Sequence, residues 1–95
     1  MATLHIEHAV TDVPTWKAAF DRFAAKRAEA GATAHRISLL HDDPTYLVLQ
    51  LDFPTVAQAE AFKDFLETRV WSNPANSPGL AATPRARVLV AAPAQ

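Results

Sequence analysis

The sequence predicts an α+β fold with the element order β-α-β-β-α-β. Four segments alternate apolar and polar residues, two longer segments repeat apolar residues at helical spacing, and a short polar turn joins the middle two strands. Right-handed crossovers then favour a four-stranded antiparallel sheet, with strand order 4-1-3-2 and two helices on one face. This is the ferredoxin-like arrangement, and it leaves the second face of the sheet without helices.

The first third of the chain predicts a strand followed by a helix. Residues 3–10 alternate, and their more apolar side consists of Leu4, Ile6, His8 and Val10. Asp12 offers a side-chain acceptor to free backbone amides and Pro14 suits a first turn, so a helix begins here. Gly31 suits a left-handed cap and ends this helix. The apolar stripe of the helix consists of Trp16, Phe20, Phe23 and Ala24.

The middle third predicts a hairpin. A strand over residues 33–40 leads into the turn 41–44, where two aspartates and a proline favour a reversal of the chain. The following strand, Thr45–Phe53, places Leu47, Leu49, Leu51 and Phe53 on one side. Its other side, formed by Tyr46, Val48, Gln50 and Asp52, is neither cleanly polar nor cleanly apolar.

The last third predicts a second helix and a fourth strand. Thr55 and Gln58 have the spacing of a capping box, so the helix begins there. Its apolar stripe consists of Val56, Ala59, Phe62, Phe65, Leu66 and Val70. A proline-rich loop over 72–84 separates the helix from the strand Arg85–Val90, and residues 91–95 form a frayed tail.

Composition narrows the classes of protein. The 95 residues suit a single domain, 1–95, with an ordered core of about 3–90. Nine basic and ten acidic residues give a net charge of −1 without a basic cluster, which disfavours nucleic acid and anionic membranes as partners. The chain has no cysteine, no signal-peptide pattern and no apolar run long enough for a membrane span. We therefore expect a cytoplasmic protein.

The uncovered sheet face predicts self-association. This open face comprises His5, Glu7, Arg36, Tyr46, Val48, Gln50, Arg87 and Leu89 if the alternation holds. Solvated sheet faces are usually rich in lysine, glutamate, threonine and serine, whereas this one includes several apolar groups. One interpretation is a partly apolar surface exposed to water. We favour the other, a homodimer packed sheet to sheet, in which Glu7 and His5 meet Arg36 or Arg87.

Four segments resemble the dimeric α/β-barrel superfamily, most closely its small antibiotic-biosynthesis-monooxygenase-like and cyclase-like proteins. They are "DVPTWKAAFDRF", "DDPTYLVLQLDF", "TVAQAEAFKDFL" and "RVLV". The resemblance covers about residues 3–90 and implies a homodimer with a ligand cleft between helices and sheet in each subunit. It implies activities that range from cofactor-independent oxygenation of phenolic or polyketide compounds to haem degradation and isomerisation, and many members have no known activity. The absence of any histidine after His41 weighs against haem.

The predicted topology gathers a candidate site at one end of the sheet. His8, Trp16, His41, Tyr46 and Trp71 all approach this end, and Phe20 and Phe65 are the core aromatics expected to border a cavity. His8 is the candidate catalytic residue, as a base toward a phenolic ligand. The other six are candidate substrate-binding residues.

Each candidate also has a structural interpretation. His8 could be a core histidine bonded to backbone, His41 a solvated turn residue, and Tyr46 a residue of the dimer interface. Trp16 and Trp71 could simply fill the core at helix ends. Metal binding is disfavoured because no metal-ligand spacing is present.

Two functions remain open from the sequence. The first is an enzyme, without metal or organic cofactor, that acts on an aromatic or polyketide-like small molecule as a monooxygenase or cyclase. The second is a non-catalytic dimeric module that binds a small ligand or has a structural role.

Overall fold

The computed structural model describes residues 1–73 and 79–92. The strands are β1 (Ala2–Ala9), β2 (Ala34–Leu40), β3 (Asp43–Phe53) and β4 (Arg85–Val90). The helices are α1 (Val13–Arg22), α2 (Ala24–Glu29) and α3 (Val56–Phe65), and a π-helical turn, Leu66–Val70, continues α3. We call that last segment the π turn.

The sheet confirms the predicted topology. Its strand order is β2-β3-β1-β4 and every neighbouring pair is antiparallel. Alternation along β1 and β3 places one set of side chains under the helices, where the largest are at most 1% exposed: Phe53, Leu4, Ile6, Leu47 and Leu51. The opposite side chains form the open face, which no helix of the described residues covers. The α+β, ferredoxin-like architecture is therefore the one that the sequence predicts.

The first helix is divided, which the sequence pattern does not predict. Asp12 caps α1 as expected, because its carboxylate accepts from the Thr15 backbone N–H at 2.9 Å. At Phe23 the backbone leaves helical geometry, with φ −96° and ψ 12°. The Phe20 carbonyl accepts there from the Phe23 N–H at 3.2 Å and from the guanidinium of Arg27. This side-chain bond to a helix carbonyl marks the boundary between α1 and α2.

Two predicted helix boundaries are confirmed, the glycine after the first helical segment and the capping threonine before α3. Gly31 follows α2 with φ +98°, a conformation in which a side chain would be strained. Thr55 caps α3, since its hydroxyl accepts from the Gln58 backbone N–H at 3.2 Å and also pairs with the Gln58 side chain.

The helix after α3 is wider than predicted. The π turn closes with a bond from the Trp71 N–H to the Leu66 carbonyl at 2.7 Å, five residues apart. In a regular α-helix, residues five positions apart such as Leu66 and Trp71 lie on different faces. The wider π turn instead places Trp71 above Leu66. Both side chains therefore face the same side of the helix.

The connection to β4 is tied to the end of β1. The Thr11 N–H donates to the Gly79 carbonyl at 2.7 Å, and Val10 forms an isolated bridge with Leu80. The predicted loop over 72–84 includes residues 74–78, and the predicted tail includes 93–95, both of which lie outside the described residues. Within the described ranges, every helix is too short or too polar to cross a lipid bilayer.

Candidate functional site

A cleft of about 70 Å³ lies between the helices and the sheet, at the end where β1 leads into α1. Its floor consists of aliphatic side chains of β1 and β3, and its walls come from the helices, the π turn and Leu80. Five aromatic side chains line it: Trp16, Phe20, Phe23, Phe62 and Trp71. The titratable groups in this lining are His8 and Arg27, so the cleft is an aromatic site with one imidazole and one guanidinium.

His8 presents one ring nitrogen to this cleft. It follows Ile6 on the helix-facing side of β1, and it is only 4% exposed. Its Nδ1 lies 3.2 Å from the Ala9 carbonyl oxygen, which can only accept, so Nδ1 carries the proton in this contact. Nε2 is then the basic nitrogen. No fully buried side-chain nitrogen or oxygen of the described residues lacks a partner, so Nε2, which has none among them, is not fully buried, and the cleft that His8 lines is the space beside it.

The surroundings keep His8 neutral. Burial lowers the pKa of the imidazole below its ordinary value, and the bond to the Ala9 carbonyl opposes this only in part. The Trp16 ring lies beside it, with ring centroids 5.9 Å apart. A neutral imidazole whose free nitrogen faces an apolar cleft can accept a proton from a bound molecule.

The aromatic wall is built by local helix geometry. Trp16 and Phe20 are four residues apart on α1, so their rings stack at 5.1 Å with an interplanar angle of 21°. Trp71 reaches the cleft from the other side because the π turn places it above Leu66. The structure therefore brings together four of the predicted site residues, His8, Trp16, Phe20 and Trp71.

Arg27 is a site residue that the sequence reasoning missed. Its side chain is 9% exposed, and its guanidinium lies 3.6 Å from the centroid of the Phe20 ring. It donates to the Phe20 carbonyl, which fixes the side chain back along the helix. Burial lowers the pKa of this guanidinium, and the nearby charge of Asp21 partly opposes the shift. A signal was present, because Arg27 comes four residues after Phe23, at the next position of the apolar stripe.

The structure places the other three predicted residues outside the cleft. Phe65 packs on Phe62, with centroids 5.7 Å apart, and the Lys26 ammonium lies 5.9 Å from its ring. His41 is exposed in the hairpin turn. Tyr46 lies on the open face, where its hydroxyl donates to Glu7 at 2.7 Å. Contact of these three residues with a ligand stays a prediction.

The open face carries a connected row of polar side chains, which runs through Tyr46, Glu7, His5, Gln50, Arg36 and Asp52. Hydrogen bonds from Tyr46 and then from His5 lower the pKa of the Glu7 carboxyl. Arg36 holds Asp52 through two bonds of 3.0 and 3.2 Å. Within the chain, Glu7 and His5 thus pair with each other and with Tyr46 and Gln50. Their predicted meeting with Arg36 or Arg87 concerns a second subunit and stays a prediction.

No three histidine, aspartate or glutamate side chains of the described residues gather as a metal-binding group. No protein-family model and no curated protein sequence matches this chain. Similarity to known proteins is found instead among solved structures.

Three solved structures share the fold over nearly the whole chain. One, described as "antibiotic biosynthesis monooxygenase", is 12% identical, with a TM-score of 0.66 over 98% of this chain and 100% of its own. A second, "Putative antibiotic biosynthesis monooxygenase" from Bordetella bronchiseptica, is 15% identical, with a TM-score of 0.69 over 96% of this chain and 97% of its own. A third of the same description, from Nitrosomonas europaea, is 23% identical, with a TM-score of 0.64 over 96% of this chain and 98% of its own.

These identities support a shared fold and go no further. The predicted resemblance to small antibiotic-biosynthesis-monooxygenase-like proteins is confirmed at that level. The chain has the architecture of these monooxygenase-like α/β proteins, and its chemistry has to be argued from its own cleft.

Proposed function

We propose that this protein is a small oxygenase that uses neither metal nor organic cofactor and oxidises a phenolic or anthrone-like compound in the cleft. One observation carries the proposal: a neutral, buried His8 that lines an aromatic cleft and whose Nε2 has no partner among the described residues. The structural neighbours described as antibiotic biosynthesis monooxygenases support the same class of reaction. We further propose that the working unit is a homodimer formed through the open face.

The reaction requires only a base, a site and molecular oxygen. Nε2 of His8 takes a proton from the acidic C–H or O–H of the substrate, and the resulting anion reduces O₂ to form a substrate peroxide. The protonated imidazole returns this proton to the peroxide, and the remaining C–H proton of the same carbon is removed as the O–O bond breaks. One oxygen atom becomes the new carbonyl, the other takes up both protons and leaves as water, and the substrate CH₂ is oxidised to C=O. Trp16 and Trp71 hold the ring system and exclude bulk water.

The volume of the cleft favours a second candidate function, a ligand-binding module without catalysis. A cleft of about 70 Å³ is smaller than the cavity of about 150 Å³ that takes up benzene in an engineered protein. An aromatic ring therefore fits only if it stays partly in the mouth or if the lining side chains move apart. A module that binds a small molecule in the mouth of the cleft does not have to bring it against the buried His8, so it needs no deeper pocket.

Oxygen uptake with anthrone-type and simple phenolic substrates tests the proposal. The intact protein should consume oxygen faster than the buffer control, and His8→Ala should lower the rate by about 10²-fold or more, the usual contribution of a positioned base. His41→Ala is the matched control, because His41 is exposed and outside the cleft; it should leave the rate unchanged, and that result would also remove His41 from the predicted substrate-binding residues. A rate equal to the control without protein, for every substrate, would exclude the enzyme and leave the binding module.

A further inference from the structure

Arg27 is a buried cation that contacts no carboxylate of the described residues. Among the described residues its one hydrogen bond goes to the Phe20 carbonyl, and its flat side lies on the Phe20 ring. Asp21 is the acidic residue whose charge it senses, but Asp21 is exposed and is held by Lys17 at 2.7 Å. Four of the five N–H donors of this guanidinium therefore have no acceptor among the described residues.

The guanidinium nitrogens without a protein partner are not fully buried, because no fully buried side-chain nitrogen of the described residues lacks a partner, so either water or a ligand in the cleft can bind them. Arginine stays protonated even when buried, because its pKa remains far above neutrality. A buried charge is normally paired, since removal from water is compensated only by an opposite charge or several hydrogen bonds. The ring of Phe20 and one carbonyl supply a small part of this compensation. The electrostatics of the cleft thus favour an anion.

Arg27 also separates two hollows. On one side is the aromatic cleft with His8, and on the other is a hollow of about 170 Å³. That second hollow is lined mainly by small side chains, those of Ala24, Ala28, Ala32 and Ala34, with His35 at its edge. Arg27 and Leu51 line both hollows. The guanidinium therefore has room to turn when a molecule enters from the aromatic side.

A series of ring contacts along the aromatic wall of the cleft connects its two polar groups, His8 and Arg27. His8 lies against Trp16, Trp16 stacks on Phe20, and the Phe20 ring carries the guanidinium of Arg27. His8 and Arg27 therefore lie at opposite ends of this series of contacts, and both line the cleft. We propose that the ligand of the cleft is an aromatic compound bearing an anionic oxygen, a carboxylate or a phenolate, that pairs with Arg27. This inference rests on the proposed function for the location of the ligand, and it adds the charge of the substrate.

A matched pair of single-ring ligands tests it without turnover. 3-Hydroxybenzoate and 3-hydroxybenzamide have nearly the same shape and differ in charge. Both tryptophans of the chain line the cleft, so quenching of tryptophan fluorescence reports binding. The intact protein should bind the benzoate about tenfold tighter or more, as expected for a charge-assisted pair in a site shielded from water. Equal affinities, or no measurable binding of the benzoate, would overturn the inference.

Two variants assign the preference to its residue. Arg27→Gln should abolish the preference for the benzoate and leave the affinity for the amide within about threefold, because the cation is lost and the cleft remains. Arg22→Gln, which removes an exposed arginine of α1, should keep the preference. If Arg27→Gln fails to fold, the comparison in the intact protein still decides. A preference for the benzoate, together with no oxygen uptake on any of the anthrone-type and phenolic substrates, would support this inference and reject the oxygenase. Oxygen uptake on those substrates without a preference for the benzoate would support the oxygenase and overturn this inference.

Discussion

At the scale of single residues, the environment decides what each titratable group can do. The chain has four histidines, and in the described structure His8 is the one buried in the aromatic cleft. Its strand position gives it a backbone acceptor for Nδ1 and leaves Nε2 toward the cleft. The structure thus shows a core histidine bonded to backbone, whose Nε2 has no partner among the described residues, and the catalytic role of His8 stays a prediction.

The neutral state of His8 predicts a dependence of stability on pH. Because burial lowers its pKa in the folded protein, the unfolded chain binds more protons between the folded pKa and the ordinary value near 6.5. Its contribution to the free energy of unfolding is complete above about pH 6.5 and declines as the pH falls toward the folded pKa. Urea unfolding measures the free energy of unfolding at about pH 7.5 and about pH 5.5. Between these two pH values this free energy should decline less for His8→Gln than for the intact protein.

The control for this experiment is His41→Gln, which changes a histidine in the exposed turn. The free energy of unfolding of this variant should decline, as the pH falls, by as much as that of the intact protein. Glu7 and Asp52 also have lowered pKa values, but their contributions are lost only at more acidic pH, below the ordinary carboxyl range. An equal decline in His8→Gln and the intact protein would contradict the neutral, buried state of His8.

At the scale of elements, two departures from regular helix shape the cleft. The division at Phe23 separates α1 from α2, next to the carbonyl that Arg27 contacts. The π turn adds one residue to a helical turn, and it thereby aligns Trp71 with Leu66. Such π-type turns occur frequently at functional sites, and both departures here border the same cleft.

The π turn predicts an unusual tolerance to deletion. Removing Glu67, an exposed residue within it, should restore a regular α-helical turn in which Trp71 is four residues from the Leu66 position and still lies above it. We expect a loss of less than about 1 kcal/mol in the free energy of unfolding. Removing Glu60, an exposed residue in regular α3, should cost about 3 kcal/mol or more, because it rotates Phe62 out of the core. Chemical denaturation followed by tryptophan fluorescence distinguishes the two, and equal losses would contradict the bulge interpretation.

The elements themselves were predictable, whereas these departures were not. Capping residues at Asp12 and Thr55, the glycine at 31 and strict alternation along β1 fix the elements through local chemistry, so their order follows from the sequence. The break at Phe23 depends on the Arg27 side chain, which folds back to the Phe20 carbonyl seven residues earlier. The periodicity of apolar residues does not predict such a contact. In the same way, periodicity places Phe65 on one stripe with Phe62, and only the packed structure shows that Phe65 lies beside Lys26, outside the aromatic cleft.

At the scale of the whole molecule, the sheet separates two environments. One face is covered by the helices and forms the core, and the other is the open face with its connected row of polar groups. Apolar groups interrupt that row, including Val48 and the 40%-exposed Leu89. Arg85 and Arg87 line a hollow of about 260 Å³ with His5 and Glu7, and neither arginine has an ion pair among the described residues. A second copy would bring further carboxylates and apolar surface to this face.

The proposed homodimer predicts a mass in solution of twice 10.3 kDa. Light scattering coupled to size exclusion, at micromolar concentration, measures it directly. Val48→Glu places an extra charge at the centre of the open face, opposite Glu7 in the sheet, and should yield the monomer. Val56→Glu is the matched control, because Val56 is a 46%-exposed apolar residue of the helix layer; it should keep the doubled mass. A monomeric intact protein would remove the dimer from the proposal.

The glycine at 79 has a consequence for the shape of the aromatic cleft. A β-carbon there would come within 3.0 Å of the Trp16 backbone nitrogen, and its φ of +92° already disfavours any other residue. A bulkier amino acid at the equivalent point would push the start of α1 outward and carry the indole with it. The position of one wall of the aromatic cleft thus depends on a residue outside its lining, at a point where the chain has no side chain at all.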